Sequence, residues 1–362
     1  MVQVDEPIID PLMLGQRVVA VLETGLRTAT YKLAALMALI DHSIENLPER
    51  DGDELSVPIP ELARRVLEIY WRQVRPFDGH ELRQSTQTRA RIISGANQLR
   101  SATSGGQHPN TSVDLAAARA PVVYAQVLDD ITLCLAQQPL HRLQRLPGSD
   151  SSDCFLYDDS FLHDQVTRST LRSHGDAIVL KPGVAYGLGR LAGLLKPALE
   201  IMWVDDVRRM NKFLHAEVPD VAGHLFGRER IALTAVREPF KEAFGPYCFY
   251  CGIRLAANNP IDHVLPWSWV GIDGLANLVL SCARCNGDKG GALPALAIVD
   301  RVLDRDVNVL EEIASEIQWP TQRDRVVAAT RGIYRGQPKG VPTWLGYRQS
   351  RGLDIGFPTR WI

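Results

Sequence analysis

The chain lacks any run approaching twenty apolar residues, so it offers no candidate transmembrane helix. Its opening, "MVQVDEPIIDPLML", lacks the basic start and long apolar core of a signal peptide, and a cytoplasmic protein is the expectation. It has almost no net charge, -2 over 362 residues, which excludes a protein that coats nucleic acid along its length. A nuclease is not excluded, because it needs locally positive surface and a metal rather than a basic average. There is no internal repeat and no low-complexity tract longer than a loop. Cysteine is scarce, at six residues. In a cytosolic setting, paired cysteines read as metal ligands rather than disulfides.

What is present is an ordinary globular composition, 45% hydrophobic and 23% charged. The length allows two or three domains. Helical spacing dominates the first two thirds. Residues 12–46 read as helical, with apolar side chains at Leu33, Leu36, Met37, Ile40 and Ile44 and with Thr28 or Thr30 as N-cap. "RDGDELSVP" reads as a polar turn, "IPELARRVLEIYWRQV" as an amphipathic helix, and "TQTRARIISGANQLRS" as a third helix. A further helix is expected over 113–140. "CFLYDDSF" and "AIVLKPG" read as short strands. The long helical stretch from Gly183 to Leu214 contains Pro197, which predicts a kink or a break. Helices are expected again after Lys289, followed by a tail of Trp, Tyr, Arg and Gly without periodicity. Cys134 lies in an apolar run and reads as a small buried hydrophobe. Cys154 carries no usable signal.

The informative stretch is "CFYCGIRLAANNPIDHVLPWSWVGIDGLANLVLSCARCNGDK", residues 248–289. Its two Cys-x-x-Cys pairs supply four thiolates, Cys248, Cys251, Cys282 and Cys285, a complete tetrahedral set for zinc. Such a closed site stabilises a fold and leaves no open position for chemistry, so any chemistry must come from the residues that it frames. Hydrolysis of a phosphodiester with one metal needs a base, a cation and oxygen ligands for that cation. Asp262 offers a carboxylate and Asn286 an amide oxygen, both suited to a hard cation. His263 has an ordinary pKa suited to a base near neutral pH. "IDHVL" and "NLVLSC" read as strands, and "ARCNGDKGG" as a turn leading into a short helix. Each residue alone has a plainer reading: Asp262, Asn277 and Asn286 as turn or cap residues, and His263 as a satisfied histidine.

The ordered run Cys-x-x-Cys, Asp-His with Pro266 three residues on, "LANLVLSC" and Cys-x-x-Cys-Asn-x-x-Lys resembles the HNH endonuclease superfamily of ββα-metal fold, in the bacterial type framed by a four-cysteine zinc site. The resemblance covers about 45 of 362 residues. It implies His263 as general base and Asp262 and Asn286 as ligands of the catalytic divalent cation. Both stand where many members have histidine, and as oxygen donors they favour Mg²⁺ or Mn²⁺. It implies Asn277 as the residue that holds the base-bearing loop through backbone hydrogen bonds. Lys289 and Arg284 would meet nucleic acid, with a solvated Lys289 as the alternative.

The expected architecture is α+β and predominantly α-helical: a mainly helical N-terminal region (1–225) for specificity, sensing or DNA positioning, a zinc-stabilised ββα-metal nuclease module (226–300), and a helical extension with an aromatic and arginine-rich tail (301–362). Arg64, Arg65, Arg72, Arg75, Arg89, Arg91 and Arg100 either touch phosphates or form a solvated face beside Glu61 and Glu68. Trp344, Tyr347, Arg348, Arg351 and Trp361 either stack on bases or pack over a neighbouring core. The resemblance implies a metal-dependent DNA endonuclease leaving 5′-phosphate and 3′-hydroxyl ends, in a restriction or antiviral-defence setting. RNA remains open as a substrate. A homodimer would let two single sites cut both strands, and a protein partner encoded nearby belongs to the same setting. No membrane partner is expected. The alternative is a non-catalytic, zinc-stabilised nucleic-acid-binding or regulatory module.

Overall fold

The computed structural model describes residues 8–23, 27–87, 90–103, 112–145, 154–214, 221–226 and 233–354. Arg89 and Trp361 lie outside them. The chain is α+β and mostly helical, with three two-stranded antiparallel sheets among the described residues. It divides into two compact units. One comprises residues 1–43 and 47–230, the other residues 44–46 and 231–362.

Unit 1 contains α1 (Pro11–Glu23), α2 (Tyr31–Glu45), β1 (Leu55–Pro58), α3 (Ile59–Gln73), α4 (Arg91–Thr103), α5 (Val113–Arg119), α6 (Pro121–Leu135), a π-helical turn (Ala136–Leu140), α7 (Arg168–Ser173), β2 (Ala177–Leu180), α8 (Val184–Met210) and α9 (Val221–Phe226). The end of α2, from Ile44, clusters with the second unit. Helix α3 starts with proline in its first turn, where a missing N–H costs nothing. It buries Leu62, Val66, Leu67 and Tyr70 and leaves Arg64 to pair with Glu61 and Glu68 on its outer face. Tyr70 packs on Trp203 of α8, whose indole N–H donates to Gln84 Oε1 at 2.8 Å. Gly187 lets α1 approach α8, since a Cβ there would lie 2.5 Å from Leu14.

Several expectations change in unit 1. The 12–46 stretch forms two helices. Thr30 directly precedes the second, but its hydroxyl pairs with Tyr70 rather than capping. "RDGDELSVP" is half turn and half strand, because β1 pairs with β2 from Leu55↔Leu180 to Pro58↔Ala177. "CFLYDDSF" contributes only the single bridge Tyr157↔Leu180. The helix expected over 113–140 begins anew at Pro121 and ends in the π turn around Pro139. Helix α8 runs through Pro197 without a break for 27 residues.

Unit 2 contains α10 (Thr234–Phe244), β3 (Ile261–His263), a 3₁₀ turn (Leu275–Asn277), β4 (Leu278–Leu280), α11 (Ala283–Lys289), α12 (Leu296–Leu303), α13 (Val307–Ile317), α14 (Arg323–Gly336), β5 (Pro342–Gly346) and β6 (Gln349–Gly352). Strands β3 and β4 have three residues each and pair Ile261↔Leu280, Asp262↔Val279 and His263↔Leu278. All six residues are buried, so the ribbon is covered on both faces. Its core joins Ile261, Leu275, Leu278 and Leu280 to Val236 and Phe240 of α10, to Leu310 and Ile313 of α13, and to Trp319. The aperiodic tail forms a hairpin, β5–β6. It is fastened by Trp344 N–H to Leu293 O and Ala295 N–H to Trp344 O, both at 2.7 Å.

Candidate metal centre and active site

The four cysteines come together. Their sulfurs all lie within 4.8 Å of one another, and Cys251 and Cys282 are 3.9 Å apart. A disulfide needs a separation of about 2.05 Å. Tetrahedral zinc with bonds of about 2.3 Å spaces its sulfurs at roughly 3.8 Å, so the cluster has the dimensions of a metal site. Each pair sits where backbone donors face sulfur. Cys282 caps α11 by accepting from Cys285 N–H at 3.4 Å, and its own N–H points to Cys248 Sγ at 3.3 Å. The thiols perturb one another. Burial opposes ionisation of Cys251, yet the Ile253 backbone N–H and the neighbouring thiols draw it down to about 7, while burial and the same neighbours push Cys285 up. Four sulfurs this close cannot all be anionic without a cation between them, which is what a metal would supply.

Asp262, His263, Asn277, Asn286 and Lys289 converge on the strand pair and α11. Asp262 Oδ2 accepts from Tyr250 Oη at 2.6 Å and lies 3.1 Å from Lys289 Nζ. Lys289 is buried and also donates to the His263 carbonyl at 2.7 Å. The lysine is therefore an internal cross-link between α11 and β3, not a solvated side chain. Asn286 precedes it by three positions on α11, which places both on one helix face. Asp262 Oδ1 and the Asn286 amide have no hydrogen bond among the described residues. These two oxygens are the hard donors that could hold a divalent cation.

His263 is 1% exposed, and its Nε2 lies 2.7 Å from Asp273 Oδ1. Donation of Nε2–H to that carboxylate leaves the ring's lone pair on Nδ1, the tautomer that a base needs. Asn277 is fully buried. Its Oδ1 accepts from Leu265 N–H at 2.8 Å, and its Nδ2 donates to Leu265 O and Ile272 O, both at 3.1 Å. It thus ties the two ends of the loop between His263 and Asp273. Arg284 is exposed and stacks on Tyr347 at 4.7 Å, and Arg348 approaches the same ring at 5.3 Å. Asp288 holds this hairpin to α11, accepting from Trp344 Nε1 and Arg348 N–H at 2.8 Å each. Of the tail residues, Trp344 packs inward, edge-on to Tyr250, while Arg348 and Arg351 face solvent.

Sequence reasoning passed over four residues that build this site. Asp273 was one aspartate in a glycine-bearing loop, although "GID" ten residues after the histidine offered a weak signal. Tyr250 lay inside the first cysteine knuckle. Arg305 is half-buried and donates to the carbonyls of Leu278, Leu275 and Ala276 at 2.9, 3.0 and 3.0 Å. Burial draws its guanidinium down to about 10. Trp319 Nε1 donates to Asp273 O at 2.7 Å. The chain returns beside the site at Pro320 and Thr321, which accept from Leu275 and Ala276 N–H at 3.0 and 3.1 Å. A Cβ on Gly274 would lie 2.4 Å from Thr321 O, so only glycine fits there.

The cysteine frame and the ββα unit inside it define an HNH endonuclease domain: residues 248–291 match the HNH endonuclease family model. Residues 13–225, over half of the chain, match the family described as Domain of unknown function (DUF8808), and the protein belongs to that family. No curated protein and no solved structure matches the chain. Among the described residues no helix is long and apolar enough to cross a membrane.

Proposed function

We propose that unit 2 is a metal-dependent endonuclease that hydrolyses phosphodiester bonds of DNA. The observation that carries this reading is the grouping of a carboxylate-paired histidine, a carboxylate and an amide on one strand pair and helix, framed by four thiols. His263 takes a proton from water, whose oxygen attacks phosphorus. The bond to the 3′ oxygen breaks, and that oxygen takes a proton from solvent water, leaving a 5′-phosphate and a 3′-hydroxyl. Asp262 and Asn286 hold the catalytic cation, Mg²⁺ or Mn²⁺, which when bound supplies positive charge for the phosphate and the leaving oxygen. Asp273 keeps the imidazole in its basic tautomer, and Asn277 keeps the loop between them closed. Zinc on Cys248, Cys251, Cys282 and Cys285 is structural. Arg284 and the hairpin arginines offer charge for the DNA backbone, and Lys289 acts from within by holding Asp262 to α11.

Unit 1 supplies specificity or sensing in this reading, and the setting is restriction or antiviral defence in the cytoplasm. A homodimer would provide two sites for two strands, and a partner encoded nearby would complete such a system. A phage-plating assay with neighbouring genes that shows no protection would remove the defence setting.

One observation favours the second reading, a zinc-held binding module without catalysis. Asp262 already has a buried cation beside it, and His263 is covered. Cleavage of supercoiled plasmid with Mg²⁺ or Mn²⁺ separates the two. The nuclease reading expects metal-dependent nicking that His263→Ala lowers by about 10²–10⁴-fold. Zinc-loaded protein that leaves modified and unmodified DNA and RNA intact would favour the binding module.

A further inference from the structure

Unit 1 holds a cavity of about 250 Å³ between the start of α2, the start of α4 and the π turn after α6. Arg27, Lys32, Arg91 and Arg142 line it, and among the described residues no carboxylate does. Two of these cations are fixed by acids outside the lining. Arg27 donates to Asp206 at 2.6 and 3.1 Å, and Arg142 donates to both oxygens of Asp164 at 2.7 Å. The other two have no such partner. Arg91 reaches Gln137 Oε1 at 2.9 Å, and among the described residues neither it nor Lys32 has an ion pair. Lys32 is half-buried among these like charges. Burial, then the fields of Arg142, Arg145 and Arg27, lowers the affinity of its amine for a proton.

Holding Lys32 and Arg91 beside two further cations without a carboxylate of their own is unfavourable, and a bound anion relieves it. The local backbone serves the same end. The π turn, forced where Pro139 removes a helical N–H, sets Gln138 on the cavity wall, and Arg142 donates to its Oε1 at 2.9 Å. The α2 N-terminus adds its positive end. The rest of the wall is mixed: Val21, Ala29, Tyr31, Cys134 and Pro139 with the polar Thr28 and Gln87. A guanidinium and an amine side by side match phosphate oxygens, and the apolar side chains beside hydrogen-bonding Thr28 and Gln87 suit an organic body that carries polar groups.

We infer that this cavity binds a small organic phosphate of mononucleotide size, with its phosphate beside Lys32 and Arg91 and its body in the rest of the cavity. The inference is independent of the chemistry of unit 2.

The test is calorimetric titration of the full chain with AMP, GMP, CMP and UMP, with inorganic phosphate and adenosine as separate arms. At least one nucleotide is expected to bind saturably, about tenfold or more tighter than inorganic phosphate, with adenosine silent. Lys32→Gln and Arg91→Gln should each weaken that nucleotide about tenfold while the melting profile of the ligand-free protein stays as in the wild type. Failure of all four nucleotides to bind overturns the inference. Inorganic phosphate binding as tightly as the best nucleotide overturns the organic ligand. Unchanged nucleotide affinity in both variants overturns the site.

Discussion

Unit 1 is closed by side chains that need only leave water, whereas unit 2 hangs two three-residue strands on thiols, cross-links and backbone acceptors. In unit 1, α2, α3, α6 and α8 bury Leu36, Leu67, Ile131 and Trp203 almost completely, and any one contact is a small share of the whole. A ribbon as short as β3–β4 is marginal on its own. To the apolar core around Ile261, Leu278 and Leu280 it adds polar and specific support: the cysteine cluster, Lys289 on Asp262 and the His263 carbonyl, and Arg305 and Trp319 at the 3₁₀ turn. The contrast teaches that burying apolar surface makes a fold robust, while placing a carboxylate, a histidine and an amide to within hydrogen-bond precision requires directional partners.

Removing the metal should break the comparison most sharply. Structural zinc contributes about 10 kcal/mol or more in small modules. A chelator, or Cys285→Ser, should abolish the melting transition of unit 2 and leave that of unit 1, as read by scanning calorimetry. Two intact transitions after verified metal removal would refute a structural role for the cluster. On the other side, Leu67→Ala should cost unit 1 about 2–5 kcal/mol and leave unit 2 unmoved. Arg305→Ala strips three carbonyls of their donor and should lower the stability of unit 2 by about 3 kcal/mol. An unshifted unit 2 transition would show those acceptors to be satisfied by water. Asp273→Asn should leave both transitions in place and lower kcat about tenfold with KM little changed, equivalent to roughly 1.4 kcal/mol. A change confined to KM would deny it a positioning role. Least of all, Arg64→Ala removes only surface pairs with Glu61 and Glu68 and should cost less than about 1 kcal/mol.

The legibility of the site follows the same divide. The grouping of Cys248, Cys251, Cys282 and Cys285 was readable because their spacing along one short stretch is itself the geometry, and the candidates Asp262, His263, Asn277 and Asn286 come from the same stretch. Strands β3 and β4 and helix α11 were readable for the same reason. Arg305, Trp319 and the Gly274–Thr321 contact depend on where the chain returns after leaving the motif, and no local pattern encodes a return. The inward course of Lys289 was hidden because a lysine at a helix end looks alike whether it meets water or a buried carboxylate. In unit 1 the helices showed in their periodicity. The β1–β2 pair joins segments more than a hundred residues apart, and the cationic cavity collects residues from helices distant in sequence. Proline also misled: α8 absorbs Pro197 within one helix, while Pro139 sits in a π turn.

The stretch that matches the HNH family model ends at residue 291, but its ceiling comes from residues 305–321. A gene fusion that carried only the recognisable stretch onto another protein would transfer the ligands and leave behind the beams that hold them level. Gly274 makes the dependence mutual, because the loop carrying Asp273 is shaped to one particular backbone passing over it. A fragment ending at residue 291 would lack Arg305, Trp319 and Thr321, and with them the donors and acceptors that meet Leu275, Ala276 and Leu278.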